Sequence, residues 1–304
     1  MKKVILFAAT AAMALSFASC NKAPETKPDS SKDPSPDPSE TPAPEAWEAK
    51  TAKDNLVLHL GFDSDADIVR VGEGVTFDKF VGDGALADGF IGKSYVNKSG
   101  DNTKEAYAAF KLASENVFSK LTSFTITAWV NVPGTATAKG AILSVNGGED
   151  GNWPAFNVIY DNTDAETGAQ DFNTRFEFKK GDESIALWGN VRGELYGTRD
   201  SYVQVGITVD LASGQWRSFA GGVPVQEEYM VNDELKVAVP NYVSDKTNAF
   251  YIGAWATLIA GTGDAGWQNY FAGSIDEVRI YNKALSVDEI AALCKEEIAQ
   301  SLAE

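Results

Sequence analysis

Phe124-Thr125-Ile126-Thr127-Ala128-Trp129-Val130 decides the fold class. Phe, Ile, Ala and Val alternate with Thr, Thr and Trp, and a period of two marks a strand whose faces meet different surroundings. Working outward, Leu56-Val57-Leu58-His59-Leu60 sets three leucines on one face. Similar runs lie at 141–145, 156–160, 174–179, 184–188, 202–209, 215–220, 250–254 and 273–281, separated by Gly, Asp, Asn and Ser turns. About ten to fourteen strands are expected, enough for two packed antiparallel sheets. No strand–helix alternation runs through the chain, which excludes a doubly wound α/β fold.

One helix is expected, at the C-terminal end. Ser286 and Glu289 stand in capping-box positions, and Leu285 and Ile290 in those of a hydrophobic staple. Ile290, Leu293, Cys294 and Ile298 make an apolar stripe at helical spacing.

The N-terminal fifty residues read differently. Lys2 and Lys3 precede an apolar stretch from Val4 to Phe17 that is short for a membrane span, and Ala18-Ser19 lead to Cys20. This resembles the lipobox of bacterial lipoproteins, which implies residues 1–20 as signal peptide, lipidation of Cys20 and an envelope protein lipid-anchored at the outer membrane. Residues 21–50 hold seven of the eleven prolines among Ser, Thr, Asp and Glu, the composition of an extended tether. Residues 51–304 form the folded domain. With Cys20 lipidated, Cys294 is left without a disulfide partner.

The 43 acidic residues against 26 basic give a net charge of −17, which argues against nucleic acid and against anionic membrane surfaces. One His and two Cys exclude the usual zinc sites. His59, opposite a leucine face, is expected to be an exposed or edge histidine, and no Gly-x-Ser-x-Gly elbow accompanies it.

Phe271-Ala272-Gly273-Ser274-Ile275-Asp276-Glu277-Val278-Arg279-Ile280-Tyr281-Asn282-Lys283-Ala284-Leu285-Ser286 resembles the closing signature of the laminin-G-like jelly-roll family, within the concanavalin A-like lectin/glucanase superfamily. Residues 124–130, 202–210 and 248–253 agree in order, with Tyr202 and Gln204 where the family commonly has Trp and His. The resemblance implies an all-β, two-sheet antiparallel jelly-roll sandwich with adjacent first and last strands. It also implies a calcium ion joining the N-terminal segment to the final strand, and Asp63 and Asp276 are the matching positions. The competing reading has Asp276 accept local backbone hydrogen bonds without Ca²⁺. An EF-hand reading of Asp63-Ser64-Asp65-Ala66-Asp67 fails, because Ile68 and Gly74 replace the required Gly and Glu.

Saccharides present apolar C–H faces rimmed by hydroxyls, so a site needs exposed aromatic rings beside planar polar groups. Trp153, Trp188 and Trp267 lie among turn and polar residues, and Trp255 projects opposite to Phe250, Ile252 and Ala254. Asn157, Arg175, Arg192 and Gln268 are the polar candidates beside them. Glucanases of this superfamily carry Glu-x-Asp-x-x-Glu on one strand, which is missing here, and Glu177 stands between Arg175 and Lys179. The expectation is non-catalytic binding of polysaccharide or host glycan, with a glycoside hydrolase or lyase and a protein-binding adhesion module as alternatives. Its partners are the glycan, the membrane through the anchor alone, and neighbouring envelope proteins.

Overall fold

The computed structural model describes residues 47–134, 139–147, 155–161, 172–180, 183–191, 199–237, 247–263 and 268–304. Among them run strands β1 (Leu56–Leu60), β2 (Val71–Gly72), β3 (Val75–Gly82), β4 (Gly84–Asp88), β5 (Lys93–Asn97), β6 (Ala106–Leu112), β7 (Ser123–Asn131) and β8 (Gly140–Val145). There follow β9 (Phe156–Asp161), β10 (Phe172–Lys180), β11 (Glu183–Val191), β12 (Tyr202–Asp210), β13 (Gln215–Ala220), β14 (Val223–Pro224), β15 (Met230–Val231), β16 (Ala249–Ile252) and β17 (Ser274–Tyr281). The helices are α1 (Ala256–Ile259) and α2 (Val287–Ala303).

The strands form two antiparallel sheets. The first has the order β14-β13-β12-β7-β17-β1-β2, with β15 added at β13 and the β4–β5 hairpin at β17. The second has the order β11-β10-β9-β8-β16-β6-β3. β1 pairs with β17, so the first and last strands are neighbours, as the jelly-roll resemblance implies.

The alternation in β7 sorts as the sequence dictates. Phe124, Ile126, Ala128 and Val130 enter the core between the sheets, where Phe110 and Phe250 stack at 4.4 Å. Each fully buried aromatic of this kind contributes about 1.5–3 kcal/mol through removal of apolar surface from water. The other face of β7 is covered too: Thr125, Thr127 and Trp129 are all buried. Phe90 stacks on Trp129 at 3.6 Å, and α2 approaches the same face.

α2 begins with the expected capping box. The Glu289 amide donates to Ser286 Oγ at 3.2 Å, and the Ser286 amide donates to Glu289 Oε2 at 2.9 Å. Ile290, Leu293 and Cys294 are buried as the stripe requires, but Glu297 is sealed in completely while Ile298 is only half-buried. The helix also grips the start of the domain, where the Lys50 and Thr51 amides donate to Glu296 Oε2 at 2.6 and 3.2 Å.

Strands β2 to β6, β14 and β15 and the helix α1 were not anticipated. β2 to β4 have half-exposed, irregular patterns, β14 and β15 are two residues each, and α1 is a single turn following Trp255. No described helix is long and apolar enough to cross a membrane.

Candidate functional site

Strand register builds a row across the outer face of the second sheet. Glu177 is paired with Ala186 and Asn157, Asn157 with Ser144, Ser144 with Tyr251, and Tyr251 with Ala109. Phe176, Ile185, Leu187, Phe156, Val158, Leu143, Val145, Phe250, Ile252, Ala108 and Phe110, which flank these positions along the strands, enter the core, and this turns the row away from it.

At one end of the row three polar side chains meet. Arg175 Nε lies 2.9 Å from Glu177 Oε1, and Asn157 Nδ2 donates to Glu177 Oε2 at 3.4 Å. Asn157 and Arg175, two of the expected binding residues, are thus brought together by Glu177. All three are buried, and Asn157 Oδ1 has no hydrogen-bond partner among the described residues.

The middle of the face is crossed by the segment that carries α1. Trp255 packs on Ala141 and Ile159 with Leu258 beside it, and has no exposed surface to offer a ligand. The ring does project opposite to the core residues of β16, but α1 folds back and closes over it. The Ala256 amide donates to Ser144 Oγ at 2.9 Å, which pins that turn to the sheet. Gln268 is tied down as well, its Oε1 accepting from Thr257 Oγ1 at 2.8 Å.

The far end of the row carries a tyrosine cluster. Tyr107 and Tyr270 lie parallel with centroids 6.3 Å apart, and Tyr251 meets Tyr107 edge-on at 5.7 Å. Val81, Ala109, Ala254 and Ile259 support the rings. Burial pushes all three phenols upward, with Glu105 adding to the shift at Tyr107 and Tyr270, so the hydroxyls stay protonated at neutral pH. The sequence reading sought tryptophans in turns and missed these residues. Their signal was the alternation of β6 and β16, legible only once the two strands are known to pair.

Trp153, Trp267, Arg192 and Cys20 lie outside the described residues. Trp188 belongs to β11, in register with Arg175.

The outer face of the first sheet has a different character. His59 Nε2 lies 3.1 Å from Glu277 Oε2, and Arg279 forms ion pairs with both Glu277 and Glu297. Trp129 Nε1 and Gln204 Nε2 each donate to Glu297 Oε2 at 2.6 Å. His59 is fully buried, which corrects the expectation of an exposed or edge histidine. β2 pairs beside it, and Glu277 supplies its polar partner. A bulge between Asp276 and Arg279 sets up this geometry, with Glu277 at φ 49° in the left-handed region that costs a non-glycine residue about 1–2 kcal/mol. Against the raising effect of burial, Arg279 and then His59 pull Glu277 down to about 2. Burial pushes Glu297 up to about 7, with Arg279 opposing.

Asp63 and Asp276 are linked through the segment 89–93. Asp276 Oδ2 accepts from the Phe90 and Ile91 amides at 2.9 and 3.0 Å, and its Oδ1 accepts from the Glu277 amide at 2.8 Å. Asp63 Oδ1 accepts from the Lys93 amide at 3.0 Å, and its Oδ2 pairs with Arg70. Gly92, at φ 53°, is needed there because a Cβ would sit 1.8 Å from Asp63 Oδ1. N–H groups and a guanidinium crowd the carboxylates, so this donor set does not fit a shared Ca²⁺. No group of three metal-ligating side chains occurs among the described residues.

Residues 102–291, well over half of the chain, match the laminin-G-like family of the concanavalin A-like lectin/glucanases superfamily. The chain belongs to this superfamily. Among solved structures, this laminin-G-like chain is similar to domain 4 of an extracellular arabinanase from Geobacillus stearothermophilus, solved with arabinotriose. The identity is 20% over 79% of this chain and 98% of that one, with a TM-score of 0.49. The binding domain of Paraclostridial Mosquitocidal Protein 1 is 16% identical over 81% of this chain and 53% of its own, at a TM-score of 0.54. The binding domain of botulinum neurotoxin DC, in complex with rat synaptotagmin II, is 12% identical over 81% and 52%, at 0.53. The laminin-G-like chain spans about half the length of these two toxin domains, and the likeness is one of fold. No curated protein matches the sequence.

Proposed function

We propose that the protein binds carbohydrate without transforming it, through the outer face of its second sheet. The observation that carries this reading is the cluster of Tyr107, Tyr251 and Tyr270, in which Tyr251 and Tyr270 keep half-exposed rings on a single face, backed by the buried Tyr107. Such rings pack on C–H surfaces while their hydroxyls donate to and accept from sugar hydroxyls. Membership of a superfamily of lectins and glucanases agrees with it, and so do the Arg175, Asn157 and Glu177 groups at the other end of the same row. Glu177 is bound in an ion pair with Arg175, an arrangement for holding and not for proton transfer.

In this reading Trp153, Trp188, Trp267 and Arg192 contribute further contacts around the face. On the same reading residues 1–20 are a signal sequence, Cys20 is lipidated and the proline-rich residues 21–50 tether the domain to the cell envelope, where it assists polysaccharide capture. Weak contacts from neighbouring anchored copies would add along one polymer. The test is a glycan array on the domain from about Thr51, with a reducing-sugar assay on every hit. Binding without sugar release, weakened at least tenfold in Tyr251→Ala/Tyr270→Ala, is the expected result. Sugar release from a bound glycan would overturn it in favour of a hydrolase.

A further inference from the structure

A second surface lies at the opposite edge of the sandwich from the tyrosine cluster. Four of the five large hydrophobic residues exposed among the described residues fall within one short segment: Val223, Tyr229, Met230 and Val231, at 51, 40, 46 and 59% exposure. Met230 and Val231 line a groove of about 530 Å³ between β11 and β15, together with Leu187, Trp216 and Val225. Apolar side chains exposed beside an apolar groove are the surface on which a partner docks.

The segment is held ready. Arg217 turns inward and donates through Nε and Nη2 to the Gln226 carbonyl at 2.9 and 2.6 Å, and through Nη2 to the Glu227 carbonyl. Its guanidinium lies 5.2 Å from the Tyr229 ring centre. The Gln226 side chain is bound to Ser218 through the Ser218 amide and hydroxyl. The backbone at Gln226 and Glu227 is therefore fixed before any contact is made.

Charge and chemistry select the occupant. Asp233 lines the groove, and Glu227, Glu228 and Glu234 are exposed on the same short stretch of chain, where Lys236, itself paired with Asp233 at 2.7 Å, is the one exposed cation among residues 223–236. A second copy of this chain would bring the same acidic rim against itself and be repelled. A glycan would find aliphatic Met and Val with the Gln226 amide already engaged. β14 and β15 each pair only with β13 among the described residues, which leaves outer strand edges of the sort to which an extended chain can add.

We propose that this groove docks an extended protein segment in which apolar anchors alternate with Lys or Arg. The proposal is independent of carbohydrate binding. It is tested on the whole protein by fluorescence anisotropy with three blocked peptides: alternating Val and Lys, alternating Gly and Lys, and alternating Val and Glu. The Val–Lys peptide is expected to bind at least tenfold more tightly than either of the others, and more tightly at low salt. Met230→Asp/Val231→Asp adds negative charge, so attraction by charge alone would strengthen; the expected result is at least a tenfold loss. Both sites are exposed, and an unchanged melting temperature checks the fold. Equal or tighter binding by that variant, or equal binding of Gly–Lys, overturns the proposal. So does a dimer in sedimentation that the variant dissolves, or loss of polysaccharide retention in the variant.

Discussion

The outer faces of the two sheets begin from the same strand alternation and end with opposite uses. On the first, Glu297 descends from α2 onto Arg279, Trp129 and Gln204, and the polar face becomes interior. On the second, Tyr251 and Tyr270 stay half-exposed against the buried Tyr107, one meeting it edge-on and the other parallel to it. Periodicity says which side chains avoid the core. Whether they bind the protein itself or something outside depends on what covers them.

The largest effect that would sharpen this contrast is expected from Arg279→Met. It leaves Glu277 and Glu297 buried without their shared cation, which should cost about 3–5 kcal/mol in urea unfolding. A loss under 1 kcal/mol would mean that α2 is not clamped by charge.

Next comes pH. The folded chain holds the Glu297 proton up to about 7, whereas the unfolded chain releases it near the ordinary value of 4.5. Stability should therefore fall as pH rises through that interval, and Glu297→Gln should flatten the decline. Glu277 has the opposite sign: its contribution is present above 4.5 and is lost as pH falls toward 2. Melting temperatures from pH 3 to 8 check both limbs.

On the open face the expected effects fall on affinity. Tyr251→Phe removes one hydroxyl and should weaken glycan binding a few-fold, with an unchanged melt. If Tyr251→Phe instead unfolds the domain, the cluster is structural. The smallest effect is expected at Asp63 and Asp276, where EDTA should leave the melting temperature unaltered and metal analysis should find no stoichiometric calcium.

Much of the fold was legible because single strands declare themselves. Residues 124–130 and 273–281 and the Ser286 cap needed no partner to be read. The site was less so. Tyr107 and Tyr251 stand 144 positions apart and become neighbours only through the pairing of β6 with β16. Glu297 drew no reading at all, since nothing local announces that a guanidinium waits beneath it. Trp255 had the right alternation for an outward ring, but a one-turn helix too short to leave a periodic trace closes over it.

The grip of Glu296 on the amides of Lys50 and Thr51 has a mechanical meaning. Traction arriving along the chain from its leading segment is shared at once with the final helix, and from there with the ion pairs rooted in the sheet centre. Pulling at Lys50 would thus load α2 before it reaches β1, because the entry to the domain is buckled to that helix.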